Sequence, residues 1–228
     1  MKTFTRLLLF MSNHFFLIIA DGTPISAERL HTLAEGRKLI ALDGAANYLR
    51  SLNLTPEFIL GDMDSITPET KSHFTSQRVA FIHTPRQDAT DLEKAILYCR
   101  ENNAASIHIV SALGRRTDHT LGNLSFLKKY HTPASPLHCF TETEEIIFVQ
   151  DARAIIGGET GSRVAVLGFM KCTVKSTGLV YEMNGLPLEL GASESLSNAL
   201  ASPHAAIEVA GDALIISEAR SLALTQKL

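Results

Sequence analysis

The 228-residue sequence has few of the residues that mark specialised protein classes. It contains no tryptophan and only three cysteines, Cys99, Cys139 and Cys172, which lie far apart and form no C-x-x-C pair. Their odd number and wide spacing argue against a disulfide framework and a zinc site, and they predict reduced, mostly buried thiols. The 21 basic residues do not exceed the 24 acidic ones and form no cluster, so we expect no nucleic-acid partner.

Long hydrophobic runs are also absent. No stretch approaches the roughly 18 unbroken apolar residues of a membrane helix, so we expect no membrane partner. The N-terminal "MKTFTRLLLFMSNHFFLIIA" superficially resembles a secretory signal, but Ser12, Asn13 and His14 interrupt its apolar part. We interpret "FFLIIA" as a first buried strand, preceded by a candidate disordered extension over residues 1–14 with Met11 as an alternative start. The sequence predicts a cytoplasmic protein.

Short apolar runs alternate with segments of helical periodicity in the first half of the chain. The runs recur about every two dozen residues, the length of a strand plus a crossover helix. They occupy residues 15–20, 38–42, 57–60, 78–83 and 106–113. Apolar runs without polar alternation are typical of strands covered on both faces. The pattern predicts a parallel sheet between two helical layers.

Two of the predicted helices have clear signals at their ends. Thr90 and Glu93 have the spacing of a capping box at the start of "DATDLEKAILYCREN", whose apolar face includes Leu92 and Ile96. The second helix, "TDHTLGNLSFLKKY", has a leucine stripe at 121, 124 and 127 and ends in lysines, which are favourable at a helix C-terminus. Both follow a strand and begin with aspartate, which indicates a site at the carboxyl ends of parallel strands.

The sequence changes character after Tyr130. "HTPASP" (131–136) is typical of a domain boundary. Beyond it, several short runs alternate polar and apolar residues with the two-residue period of antiparallel strands. We therefore predict the α/β fold class, with an N-terminal α/β/α domain containing a mainly parallel sheet (1–132) and a C-terminal antiparallel β-sandwich domain (137–228).

Aspartates follow the predicted strands of the first half. They are Asp43, Asp62, Asp64, Asp88, Asp91 and Asp118. Because the carboxyl ends of parallel strands meet at one edge, we expect an acidic cluster that repels itself unless counterions bind. Carboxylate oxygens are hard ligands that favour Mg²⁺. A protein-bound Mg²⁺ usually also binds the phosphate oxygens of a nucleotide. The alternative for each aspartate taken alone is a helix cap or a turn.

Other residues of the first half fit a polyphosphate. "GRRTDH" places Arg115 and Arg116 just ahead of a helix, where guanidinium and backbone N–H donors face the same edge. A solvated arginine remains the alternative for Arg115. The sequence has no G-x-x-x-x-G-K-[ST] motif, so it is not a P-loop enzyme.

Several segments, taken together, resemble the successive motifs of the thiamine pyrophosphokinase (thiamine diphosphokinase) family. In order along residues 15 to 200 they are "ALDGAANYL", "PEFILGDMDSI", "QDATDLEKAI", "GRRTDHTLGNL", "STGLVYEM" and "SLSNAL". The resemblance implies an enzyme that transfers diphosphate from ATP to the hydroxyethyl group of thiamine and releases AMP. It also implies a homodimer, in which an α/β domain binds Mg²⁺ and ATP and a β-sandwich completes the thiamine pocket across the subunit interface.

The resemblance also implies roles for individual residues. Asp62, Asp64 and Asp91 match the magnesium-binding acids of the family. The residues matching its substrate-binding positions are Gln87 and Asp88 beside the metal, Arg116 and Asp118 near the phosphates, Asp43 and Asn47 in the early small-residue motif, and Ser197 and Asn198 against the pyrimidine. Either Asp91 or Asp118 is expected to orient or deprotonate the attacking hydroxyl, and the sequence leaves that choice open.

The sequence departs from the family at two positions. Leu200 stands where an aromatic residue often follows the Ser-Asn pair, which makes Tyr181 the candidate for stacking on thiamine, with an exposed strand tyrosine as the alternative. Arg115 replaces a common glycine, so Arg116 is the expected phosphate ligand.

Two other functions remain alternatives. An apolar strand followed by D-x-D-S also suits a haloacid-dehalogenase-like, Mg²⁺-dependent phosphatase. That class needs a later paired-acid motif in the same sheet, whereas "GDALIISEA" stands in the second half. A catalytically inactive nucleotide- or ligand-sensing protein is the other alternative, and the complete set of acids argues against it.

Overall fold

The computed structural model describes residues 14–83, 89–218 and 221–227, so the candidate extension lies outside the described residues except for His14. The helices are α1 (Ala27–Ala34), α2 (Ala45–Ser51), α3 (Pro68–Ser76), α4 (Asp91–Glu101) and α5 (Thr117–Lys129). The strands of the first part are β1 (His14–Ile19), β2 (Lys38–Leu42), β3 (Phe58–Gly61), β4 (Ala80–His83), β5 (Ala104–Val110) and β6 (Leu137–Phe140). Those of the second part are β7 (Glu145–Gly157), β8 (Arg163–Gly168), β9 (Cys172–Thr177), β10 (Asn184–Leu188), β11 (Ser195–Ala199), β12 (His204–Ser217) and β13 (Ser221–Lys227).

The strands of the first part form a parallel sheet in the spatial order β4-β3-β2-β1-β5-β6. Alternate residues of β1 pack on opposite faces: Ile18 joins a cluster with Leu92 of α4, while Leu17 joins a cluster with Leu49 of α2. The prediction of a doubly covered parallel sheet is confirmed. The order of strands reverses between β1 and β5, which is the position where α/β sheets open a ligand crevice.

Helix α4 begins as predicted, because the Thr90 hydroxyl accepts a hydrogen bond from the Glu93 N–H at 3.2 Å. The leucine stripe predicted for α5 is only partly correct. Leu127 is buried, but Leu121 is 65% exposed because the first turns of α5 lie at the rim of a cavity instead of against the sheet. None of the helices in the described part of the chain has the length and apolar content that crossing a membrane requires.

The second part is antiparallel and has two layers. The long strands β7 and β12 pair from His204 with Gly157 to Ser217 with Glu145, and they bend at a register shift between Val209 and Asp212. In the half of this pair that contains residues 145–149 and 213–217, β7 pairs with β6 and β12 pairs with β8, which in turn pairs with β11. In the other half, β7 pairs with β13 and β12 pairs with β9, which in turn pairs with β10. Apolar side chains from both layers form one core between them. The predicted fold class, including the C-terminal sandwich, is confirmed.

Strand β6 joins the two parts. It pairs in parallel with β5 and antiparallel with β7, so the two kinds of sheet are hydrogen-bonded to one another. The domain limits placed at 132 and 137 from sequence stay a prediction.

A buried histidine lies in β5, away from the cavity. The Nε2 atom of His108 is 3.1 Å from Nη2 of Arg37, and its ring packs against His138 and Phe140. Burial, followed by the charges of Arg37 and His138, lowers the pKa of His108 to about 3. The folded protein therefore keeps this ring neutral.

His108 should make stability depend on pH. Above pH 6.5 the ring is neutral in both states, but between pH 6.5 and 3 only the unfolded chain binds the proton, so stability falls as pH decreases. This effect should remove about 2 kcal/mol of unfolding free energy between pH 7 and pH 5. His108→Gln, which keeps an acceptor for Arg37, should lose less over that interval in urea unfolding, whereas exposed His31→Gln should match the wild type. Equal pH dependence in all three proteins would contradict the assignment.

Candidate active site

A cavity of about 560 Å³ opens at the carboxyl ends of the parallel strands. Loops that follow β1, β2, β3 and β5 form its walls, together with the first turns of α4 and α5. The position coincides with the reversal of strand order between β1 and β5. Segments distant in sequence therefore contribute side chains to one space.

Carboxylates dominate this cavity. Among the described residues, those lining it are Asp21, Asp43, Asp62, Asp64 and Asp91. The structure thus brings together the acids predicted from the ends of β2 and β3 and from the start of α4. No three His, Cys, Asp or Glu side chains of the described ranges lie close enough to form a metal site by themselves. The roles assigned to these acids from sequence stay a prediction.

Asp43 is the most buried of these acids. Its Oδ2 atom accepts a hydrogen bond from the Ser65 N–H at 3.0 Å, while its Oδ1 atom is buried without a partner among the described residues. Burial is the main cause that raises the pKa of Asp43, and the charges of Asp62 and Asp91 raise it further against the opposing effect of Ser65. The cavity therefore holds negative charge that the protein only partly compensates.

A glycine at the end of β3 lets two of these acids approach each other. Gly61 has φ +154, and a Cβ atom there would lie 2.9 Å from Cβ of Asp43 and 3.0 Å from Oδ2 of Asp91. Both distances are shorter than normal contacts, so a side chain at this position would displace one acid or the other. The sequence places glycine where the backbone must pass between two carboxylates.

The cations at the cavity are each paired with an acid. Lys94 Nζ lies 3.1 Å from Oδ1 of Asp91, one turn along α4. Arg115 contacts Asp21, with Nη1 2.8 Å from Oδ1. These pairs offset part of the negative charge.

Arg116 and Asp118 form a separate pair at the rim. Two hydrogen bonds of 3.1 Å and 2.5 Å join Nε and Nη2 of Arg116 to the two oxygens of Asp118. The hydrogen bonding from Arg116 is the main cause that lowers the pKa of Asp118 to about 2. Arg116 lines the cavity, whereas Asp118 is exposed and is not among the lining residues.

Asn47 lines an adjoining pocket that shares Asp21, Gly44 and Arg115 with the acidic cavity. Its Nδ2 donates to the Ser65 carbonyl at 2.9 Å and its Oδ1 accepts from the Thr67 N–H at 3.0 Å. It therefore fastens the loop that follows β3, and the structure does not place it among the residues lining the cavity. Gln87 and Asp88, also predicted from sequence, lie outside the described residues.

Ser197 and Asn198 lie on β11, in the sandwich. The buried side-chain amide of Asn198 forms hydrogen bonds with the backbone of the sandwich. Its Oδ1 accepts from the N–H groups of Tyr181 and Ala199, and its Nδ2 donates to the Tyr181 carbonyl at 2.7 Å. Ser197 is exposed, beside the 61% exposed Leu196. The structure does not bring these residues to the acidic cavity within one chain. Leu200 is fully buried in the sandwich core.

Sequence reasoning missed several residues of the cavity, namely Asp21, His119 and Asn123, and it missed Lys94, which contacts Asp91. A signal for Asp21 was available, because the Asp-Gly pair at 21–22 follows β1 just as the pair at 43–44 follows β2. The two loops approach closely, since a Cβ atom at Gly44 would lie 2.7 Å from Oδ2 of Asp21. Repetition of the dipeptide after neighbouring strands would have identified this acid.

Comparison with known proteins shows what the chain is similar to. A family model described as "Thiamin pyrophosphokinase, catalytic domain" matches residues 30–138. Thiamin pyrophosphokinase 1 of Caenorhabditis elegans is 29% identical over 78% of this chain and 77% of its own length, and thiamine pyrophosphokinase 3 of Oryza sativa is 26% identical over 88% and 84%. The crystal structure of thiamine pyrophosphokinase from Bacillus subtilis shares the fold, with a TM-score of 0.80 and 22% identity over 90% of this chain and 100% of that chain. The chain is therefore similar in sequence to thiamine pyrophosphokinases and similar in fold to one of them.

The close approach at Gly61 can be tested by adding one methyl group. Gly61→Ala should lower the melting temperature by more than a backbone effect alone would, because the methyl group would press against Cβ of Asp43 and Oδ2 of Asp91. Gly36→Ala is the matched control. Gly36 also has a positive φ of +70, but a Cβ atom there would meet nothing within 4 Å.

The control should carry only the backbone cost of about 1 kcal/mol. An equal loss of melting temperature in Gly61→Ala and Gly36→Ala would contradict the close approach of Asp43 and Asp91 to Gly61.

Proposed function

We propose that this chain catalyses transfer of diphosphate from ATP to the hydroxyethyl oxygen of thiamine, giving thiamine diphosphate and AMP. The observation that carries the proposal is the convergence of carboxylates from three strand ends and one helix start on one cavity with an arginine at its rim. In a chain similar to thiamine pyrophosphokinases, that arrangement suits a metal-bound polyphosphate better than an organic anion alone.

The residues fit a magnesium ion. The donors are hard carboxylate oxygens, and one of them, Oδ1 of Asp43, is buried without a partner within the described ranges. Mg²⁺ keeps several waters and usually takes one or two carboxylates together with substrate phosphates, so it does not need three protein ligands already in contact. Asp62, Asp64 and Asp91 would hold it. When bound, the ion would neutralise charge on the phosphate oxygens.

The chain's own residues would act by positioning and charge. The thiamine oxygen forms a bond to the β-phosphorus, the bond from that phosphorus to the AMP oxygen breaks, and the hydroxyl proton leaves. Transfers of this kind require alignment of the two reacting groups and donors directed at the transferred group. Arg116 would direct N–H groups at the transferred diphosphate.

Asp91 and Asp118 differ in position. Both oxygens of Asp118 accept hydrogen bonds from Arg116, and Asp118 does not line the cavity. Asp91 lines the cavity, and one of its oxygens contacts Lys94. We therefore assign orientation of the thiamine hydroxyl to Asp91, with Asp118 holding Arg116 in place.

The thiamine site is proposed to include a second copy of the chain. Ser197 and Asn198 lie outside the acidic cavity of their own chain, and exposed apolar side chains, Val180, Tyr181 and Leu196, surround them. An apolar patch rimmed by polar groups is typical of an interaction surface. We propose a homodimer in which this patch faces the partner's cavity and Tyr181, 71% exposed, stacks on the thiamine ring.

A cytoplasmic location forms part of the same proposal. Cys99, Cys139 and Cys172 are free and buried, which fits a reducing compartment. ATP and thiamine are the proposed partners, without nucleic acid or membrane.

The catalytic assignment predicts a large loss in one variant. Asp91→Asn should lower kcat on the order of 10²-fold or more, because the site loses one preorganised charge. Glu101→Gln, at the exposed end of the same helix, is the control and should keep wild-type kcat. Turnover is measured as AMP and thiamine diphosphate formed with ATP, Mg²⁺ and thiamine.

Wild-type turnover by Asp91→Asn at saturating Mg²⁺ would refute its role. Orthophosphate release without thiamine, together with a trapped phosphoaspartate, would favour the phosphatase instead.

The shared site predicts complementation between subunits. Ser197→Trp should obstruct the patch on β11, and Asp91→Asn should disable the cavity, so each homodimer should be inactive. A mixed dimer has one site with both changes and one with neither, so an equilibrated mixture should recover about a quarter of wild-type activity. No recovery in mixtures shown to contain mixed dimers would place each site within a single chain.

A further inference from the structure

The loop after β5 holds an arginine in an unusual backbone conformation. Arg115 has φ +50, in the left-handed region that residues with a side chain rarely adopt. Its side chain is 54% exposed and lines the acidic cavity. Non-glycine residues in this region cluster at functional sites, where neighbouring structure holds them against strain.

Neighbouring backbone fixes this loop firmly. Beyond the end of the β1–β5 ladder, the Gly22 N–H donates to the Ser111 carbonyl at 2.6 Å and the Thr23 N–H donates to the Leu113 carbonyl at 2.9 Å. A Cβ atom at Gly114 would lie 2.0 Å from Oγ1 of Thr23, so the two loops are in close contact. Arg115 therefore extends from a rigid support at the crevice between β1 and β5.

Among the described residues, acceptors are recorded for one nitrogen of the Arg115 guanidinium, Nη1. Nη1 donates to the Asp21 carbonyl at 2.9 Å and contacts Oδ1 of Asp21 at 2.8 Å. The structure records no acceptor for Nε or Nη2 among residues 14–83, 89–218 and 221–227. These two nitrogens form the edge of the guanidinium that binds a phosphate through two parallel hydrogen bonds.

Arg116 differs in this respect. The same edge, Nε and Nη2, is already occupied by the two oxygens of Asp118. Lys94 is paired with Asp91 and has no planar fork. Arg115 is thus the arginine of the cavity whose Nε and Nη2 atoms have no recorded acceptor among the described residues.

An ion pair alone does not explain this arrangement. The Asp21 and Arg115 side chains are about half exposed, and exposed pairs stabilise a fold little. Such a pair does not offset the left-handed backbone of Arg115. Holding Nη1 through two acceptors of Asp21, however, fixes the plane of the guanidinium and directs the remaining edge.

We propose that Arg115 binds a phosphate of the Mg²⁺–nucleotide through Nε and Nη2, with Asp21 as the positioning residue that orients it. This inference rests on the proposed function and deepens it, since it assigns the two-donor phosphate contact to Arg115, which sequence reasoning had ranked below Arg116. The ligand class is a nucleoside polyphosphate.

The test measures binding of an ATP analogue with a methylene group between the α- and β-phosphorus, by calorimetry with Mg²⁺. Arg115→Gly should raise Kd about tenfold or more, because two charge-assisted hydrogen bonds are lost. Arg115→Lys should recover less than half of that loss in binding free energy, because lysine keeps the charge but not the fork.

Arg78→Gly is the matched control. Arg78 also has a left-handed backbone, with φ +60, but it is exposed between α3 and β4, away from the cavity. Glycine relieves the same backbone strain in both variants, so their melting temperatures should agree within about 3 °C. The control should bind the analogue within about twofold of wild type.

Asp21 is tested through a double-mutant cycle. Whatever change in Kd Asp21→Asn causes in the wild type should disappear in the Arg115→Gly background, because Asp21 acts through that arginine. A purely structural role would leave the same change in both backgrounds, and this outcome would overturn the positioning role.

Two results would overturn the assignment of Arg115: a Kd for Arg115→Gly within about twofold of wild type, or an equal loss in Arg78→Gly. A separate assay of AMP formation distinguishes this failure from failure of the proposed function. If the wild type forms no AMP from ATP and thiamine, the proposed function fails. If it does, and Arg115→Gly keeps the wild-type KM for ATP, only the arginine assignment fails.

Discussion

Repulsion among the carboxylates at the ends of β1, β2 and β3 is the constraint on which this molecule depends. A parallel sheet delivers the end of every strand to the same edge, so an acid after each strand becomes a neighbour of the others. Burial is the main cause that raises the pKa of Asp43, and the charges of Asp62 and Asp91 raise it further. Lys94 and Arg115 offset part of the negative charge of the carboxylates. The negative charge that is not offset favours binding of a metal cation together with an anionic ligand.

Side-chain hydrogen bonds join α4 to the end of α5, beside the cavity that holds these acids. Glu93, in the first turn of α4, accepts hydrogen bonds from Lys129 and Tyr130 at the far end of α5, and these bonds are the main cause that lowers its pKa. The start of α4 carries Asp91 and the start of α5 carries the arginine pair. These hydrogen bonds join the start of α4 to the end of α5 and so limit the movement of the helix turn that carries Asp91, which suits a reaction that depends on alignment.

Sequence reasoning predicted the parallel sheet and the cap of α4 because these follow from local patterns: apolar runs, their spacing, and a threonine three residues before a glutamate. It brought Asp43, Asp62, Asp64 and Asp91 together correctly because each lies between the end of a strand and the first turn of the next helix, whereas Asp118 does not line the cavity and Asp88 lies outside the described residues. It failed at Leu121, since the period of a helix does not say where the sheet beneath it ends. It also missed the Arg115–Asp21 contact, because these residues are 94 positions apart and only the crevice brings them together.

The pairing of β6 with strands of both parts has a consequence for how the protein can be divided. A fragment that stopped in the proline-rich segment at 131–136 would lack β6 and leave the N–H and C=O groups along one side of β5 exposed. A bare edge of this kind recruits strands from other molecules. The N-terminal α/β part therefore depends on β6, which is itself paired with the sandwich strand β7, to complete the edge of its sheet.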